Sequence, residues 1–143
     1  MRSWTITLVV VLLFVADAAA RQEAPSKELT ALQGNWNIVS VNGQSVSDQG
    51  VALSMAFSGN RYTQTLNGQV VESGTVKVDA TKKPIAVDFS ILEGDDAGKL
   101  QLGILEIGDD TLRFAMGIAG ATDRPSTFEA GGSAGLFVMK KTK

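Results

Sequence analysis

From Trp36 onward the chain alternates apolar and polar positions in short runs, each closed by turn-forming residues. Val51, Leu53, Met55 and Phe57 fall on every second position, as do Ile85, Val87, Phe89 and Ile91, and again Leu112, Phe114, Met116 and Ile118. A period of two marks strands with one buried face. Two of the connections are Asn-Gly, at Asn42-Gly43 and Asn67-Gly68, the strongest short hairpin signal. Ser58-Gly59-Asn60, Thr81 to Pro84, Glu93 to Gly98 and Gly108 to Asp110 supply the other turns. This punctuation predicts strands over residues 35–41, 51–57, 61–66, 69–79, 85–92 and 99–107, a seventh carrying Leu112 to Ile118, and an eighth over 136–141. Ser26, followed by Glu28, Leu29 and Leu32, predicts one short helical turn before the first strand.

Eight strands joined in order by short turns make an antiparallel meander, and closing it removes both unpaired edges. The expected fold is all-β, an eight-stranded antiparallel up-and-down barrel. Its interior would be just wide enough to be filled by side chains or to hold one small ligand. Alternation assigns that interior to Trp36, Ile38, Leu53, Met55, Phe57, Tyr62, Leu66, Val76, Val78, Val87, Phe89, Leu102, Ile104, Leu112, Phe114, Met116 and Val138. It leaves Val39, Val41, Leu105, Phe137 and Met139 on the outer face. A hollow interior of this composition would take a hydrophobic ligand, with Met55, Phe57, Tyr62, Phe89, Phe114 and Met116 as its candidate walls. A solid core would use the same residues.

The first 20 residues stand apart from this pattern. Arg2, the apolar run over residues 6–16 and the small residues Ala18-Ala19-Ala20 are arranged as in a secretory signal peptide. The run is shorter than the roughly 20 apolar residues of a membrane span. The expectation is an exported protein, periplasmic or extracellular, cleaved near Ala20 and without a transmembrane span in the mature chain. Residues 21–31 would form a leader ending in the short helix, and 32–143 the barrel domain.

Composition narrows the chemistry. The chain has no cysteine, so no disulfide supports it. It has no histidine, which removes the usual neutral-pH base and most transition-metal sites. Residues 1–20 contain one cation and one anion, so the remainder keeps the net charge of −2, and its charges are scattered. Nucleic acid is not expected as a partner. No cofactor or metal is implied.

Gly34-Asn35-Trp36 resembles the G-x-W of lipocalin-type barrels. LQGNWNIVSVNGQ at 32–44, FSGNRYT at 57–63, GTVKVDATKKPIAVDF at 74–89, EGDDAGKLQLGILEIGDDTLRFAM at 93–116 and DRPSTFEA at 123–130 extend the likeness over nearly the whole mature chain. Together they resemble a family of small, functionally uncharacterised lipocalin-like (calycin-type) β-barrel domains abundant in exported planctomycete proteins. The resemblance implies an up-and-down barrel and export, and brings no catalytic residues. In lipocalins a late arginine commonly packs across the G-x-W tryptophan and closes one barrel end. By that likeness Trp36 and Arg124 form the barrel-closing pair, with Arg113 as second candidate, and a binding site belongs at the opposite mouth.

The loops carry weaker signals. Glu93, Asp95, Asp96, Asp109 and Asp110 lack the spacing of a calcium loop and suit tight turns. Asp79, Lys82 and Lys83 read as solvated surface rather than an anion clamp. Arg124, ahead of Pro125 and Phe128, would either stack on an aromatic ring or hold a ligand carboxylate. The function expected is non-enzymatic binding of a small hydrophobic ligand at the barrel mouth. The alternative is an interaction module for an envelope protein partner, built on the outer-face residues. An enzyme would have to rely on Tyr62 and carboxylates.

Overall fold

A computed structural model describes residues 26–129 and 134–142. The predicted signal peptide and residues 21–25 of the leader lie outside the described residues. Within them, α1 spans Lys27–Leu32 and the strands are β1 Gly34–Val41, β2 Gln44–Ser45, β3 Leu53–Ser58, β4 Arg61–Leu66, β5 Gln69–Asp79, β6 Ile85–Glu93, β7 Leu100–Ile107, β8 Thr111–Met116 and β9 Gly135–Lys141. β1 pairs with β3, each strand from β3 to β9 pairs with the next, and β9 returns to β1, every pairing antiparallel. The result is a closed eight-stranded barrel. β2 is an added hairpin leg beside β1, absent from the sequence expectation.

Local chemistry accounts for the turns. Asn42 and Gly43, and Asn67 and Gly68, all have positive φ, as two-residue hairpins matching strand twist require. Both asparagines also tie their turns to the neighbouring strand: Asn42 Oδ1 accepts from the Leu136 amide and Asn67 Oδ1 from the Ala52 amide. Ser26 caps α1 through a hydrogen bond from the Leu29 amide to its hydroxyl.

The meander gives the barrel two unlike ends. α1, the β3–β4 turn and the C-terminal end of β9 share one of them. There the Trp36 indole donates to the Leu32 carbonyl at 2.7 Å, and Leu32 and Trp36 are both buried in the core. Gln33 clamps the β3–β4 turn, donating to Gly59 O and accepting from Gly59 N. Above this floor Phe57, Tyr62, Phe89 and Phe114 form a contiguous aromatic layer, with Tyr62 edge-on to Phe89 at 4.8 Å. The other end holds the β1–β2, β4–β5 and β6–β7 turns. Its rim exposes Leu66, Val70, Val71, Leu92, Leu100 and Ile118.

The expected interior is corrected on several strands. On β7 the inward residues are Gly103, Leu105 and Ile107, while Leu102 and Ile104 point outward, as their pairing with Asp88 and Ala86 shows. On β9 Phe137 and Met139 face inward opposite Phe114 and Leu112, and Val138 faces outward opposite Arg113. On β1 a bulge between Ile38 and Ser40 shifts the alternation, so Val41 turns toward the core opposite Phe137. In β7 and β9 both faces are apolar, and the charged neighbours decide: Glu106 and Lys140 must face water. Leu66, expected inside, lies exposed at the rim, and Ile118 follows the end of β8 and is 61 % exposed.

Ile104 is nonetheless buried, because the chain after β8 crosses the outside of β6 and β7. Arg124 fastens this strap, donating to the carbonyls of Val87 and Gly103 and pairing with Asp88 at 2.6 Å.

Leu105→Ala removes a buried, inward side chain and is expected to cost about 2–5 kcal/mol of stability in urea unfolding. Leu100→Ala, on the exposed outer face, should change stability by less than about 0.5 kcal/mol. Equal effects would contradict the inward assignment of Leu105.

Candidate functional site

Between the aromatic layer and the open end the barrel is not filled. A cavity of about 130 Å³ remains there. Its apolar walls are Ile38, Met55, Phe89, Phe114, Met116, Phe137 and Met139. Gly103 leaves room for one of them: a side chain at this position would run into Met116 Sδ and lie 2.7 Å from the Ala115 carbonyl. Toward the mouth the lining becomes polar, with Gln64 in the second half of β4, Glu72 near the start of β5, Gln101 on β7 and Asp96 in the β6–β7 turn.

Glu72 is the centre of this polar side. Tyr62 donates its hydroxyl to Glu72 Oε2 at 3.0 Å, tying the carboxylate to the aromatic layer. Burial pushes the Glu72 carboxyl above its ordinary value; the Tyr62 hydrogen bond opposes the rise and the Asp96 charge adds to it. Burial, then the charge and hydrogen bond of Glu72, push the Tyr62 hydroxyl up as well, so it keeps its proton at neutral pH. Gln101 donates to the Gly117 carbonyl at 2.9 Å, and Asp96 pairs with Lys99 at 3.0 Å.

Of the six candidate wall residues, Met55, Phe89, Phe114 and Met116 line the cavity. Phe57 and Tyr62 lie in the packed aromatic layer, and Tyr62 reaches the site only through Glu72. The barrel-closing pair is corrected. Arg124 is held on the outer wall by Asp88 and two carbonyls, and the cation over the Trp36 ring is Lys141, with Nζ 5.6 Å from the centroid. The register explains the exchange: β9 brings Lys141 directly opposite Trp36. Arg113, the second candidate, stacks on Phe128 at 4.5 Å and bonds Glu106.

Sequence reasoning missed Gln64, Glu72, Asp96, Gln101, Phe137 and Met139. For Gln64 and Glu72 a signal exists: each is two or four positions from an assigned interior residue, Tyr62 or Val76, and so has inward parity. A polar residue at an inward position near a strand end marks a wet mouth.

The outer wall carries a second, larger depression of about 470 Å³ beside the strap, with Lys77, Lys82, Lys83 and Asp79 among its lining residues. Asp79 is engaged by the Thr81 amide and hydroxyl, which hold its carboxyl below the ordinary range. Among the described residues no three His, Cys, Asp or Glu side chains converge as a metal site, and no helix is long and apolar enough to cross a membrane.

Fold and site together define a closed antiparallel barrel sealed at one end and hollow at the other. No protein-family model matches the chain, and no curated protein matches it.

Two titrations check the electrostatics. Tyr62→Phe removes the hydrogen bond that opposes the rise, so the Glu72 carboxyl should titrate higher still in carboxyl-detected NMR. An unchanged or lower value would contradict the pairing. Because the folded state raises Glu72 above its unfolded value, the stability it contributes at low pH is lost as pH rises through the folded value. Glu72→Gln should therefore gain on the wild type as unfolding is measured from below about pH 4.3, the ordinary glutamate value, up to neutrality.

Proposed function

We propose that this protein is a non-enzymatic binding barrel that takes a small hydrophobic ligand through its open mouth. The observation that carries the reading is the cavity of about 130 Å³, walled by apolar side chains and floored by a packed aromatic layer. An apolar protein cavity of about 150 Å³ accepts benzene. Drug-sized ligands need about 300 Å³ or more, so the occupant is one ring or a short chain. The absence of histidine supports binding rather than catalysis.

The likeness of residues 32–130 to lipocalin-like exported domains supports the same reading. The apolar segment at 6–16, followed by Ala18-Ala19-Ala20, supports export to the periplasm or beyond. The alternative, an envelope interaction module, rested on Val39, Val41, Leu105, Phe137 and Met139 being exposed. Leu105 and Met139 are buried, and Val41 and Phe137 pack against the core.

Titrating the purified protein with toluene and indole while observing the methyl groups of Met55, Met116 and Met139 by NMR tests the proposal. Saturable shifts at these methyls are expected, with a dissociation constant of about 1 mM or tighter, equivalent to about 4 kcal/mol. Absence of shifts with either compound would sink the ligand-binding role.

A further inference from the structure

We propose that the ligand is a small amine, whose apolar ring or chain fills the cavity and whose ammonium group sits against Glu72. The inference rests on the cavity being a ligand site and adds the chemistry of the head group. The lining contains two carboxylates, Glu72 and Asp96, two amides, Gln64 and Gln101, and neither lysine nor arginine.

Three features make this polar side a receiver of hydrogen bonds. Tyr62 occupies Glu72 Oε2, and among the described residues Oε1 has no hydrogen-bond donor. Gln101 spends its amide nitrogen on Gly117 O, which leaves its oxygen to accept. Asp96 is already paired to Lys99 at the surface, so the uncompensated carboxylate of the mouth is Glu72. A carboxylate drawn partly out of water gains most from a cation that follows it in. A fatty acid or other anion meets like charge here, and a neutral hydrophobe leaves the carboxylate as it was.

A cation at Glu72 favours its ionised form, so amine affinity must fall as pH drops through the Glu72 titration. The ionisable groups bearing on Glu72 are Tyr62 on β4, which stays protonated, and Asp96 with its partner Lys99 in the β6–β7 turn. Across the cavity β3, β6 and β7 contribute Met55, Phe89 and Gln101, which do not titrate. Glu93, at the end of β6, is held by Ser73 on the exposed side.

The test compares benzylamine, toluene and benzoate at pH 7, matched in ring and differing in charge. Benzylamine should bind about tenfold tighter than toluene, the equivalent of about 1.4 kcal/mol, and benzoate more weakly than either. Glu72→Gln should bring the benzylamine-to-toluene ratio to about one, the outcome expected when a charge-assisted bond is lost. A second measurement needs no variant: saturating benzylamine should lower the Glu72 titration seen by carboxyl NMR in the wild-type protein. If toluene binds and benzylamine binds no tighter, or leaves Glu72 unmoved, the amine assignment is overturned while the cavity remains a ligand site. If no compound binds, the ligand-binding role fails with it.

Discussion

Everything inside this protein depends on the pairing of β9 with β1. Until Lys141 lies opposite Trp36 and Phe137 opposite Val41, the sheet has two bare edges and no interior. The pairing joins strands separated by about a hundred residues of chain, a long loop whose closure entropy must be recovered from burial. The recovery is visible at the join. Ile38 and Met139, cross-strand partners, are both buried in the core, and the Thr142 amide extends the ladder to Asn35 O. Closure also delivers Lys141 to the face of Trp36, so the cation over the tryptophan comes from the sheet itself and Arg124 is released to fasten the outer strap.

The distribution of volume along the barrel follows from which residues each half contributes. The sealed half is built on Trp36 and on Phe57, Tyr62, Phe89 and Phe114, whose rings pack against one another. The open half faces thioethers, glutamine amides and Gly103, and these do not meet across the middle. The expected choice between a filled and a hollow barrel therefore has a divided answer. Tyr62 joins the two regimes, with its ring packed on Phe89 and its hydroxyl on Glu72.

Much of this is legible in the chain. Asn42-Gly43 and Asn67-Gly68 announce their turns because few other residues tolerate two successive positive φ angles, and β4 and β5 fall on their predicted bounds. Parity in β7 and β9 is harder. Leu100, Leu102, Ile104, Leu105 and Ile107 populate both alternations, and only Glu106 distinguishes the faces. Ile104 is buried on the outer face because a strap covers it, and coverage by a distant loop leaves no local trace. The polar mouth is intermediate. Gln64 and Glu72 can be placed inward by counting, whereas Asp96 enters the site from a turn whose acidic residues look like ordinary turn chemistry.

Three of the cavity walls, Met55, Met116 and Met139, are unbranched thioethers, and the absence of a side chain at Gly103 makes the space that Met116 fills. Such side chains re-pack at small cost, unlike the aromatic rings beneath them. The hollow is thus padded rather than moulded, walled by side chains that can change rotamer without disturbing the sheet. Under the proposed binding role, such walls would discriminate poorly between ring shapes, and the charge at the entrance would be the sharper criterion. The give of the interior resides in its sulfur atoms, and the charge at its mouth that no cation pairs, among the described residues, in the carboxylate of Glu72.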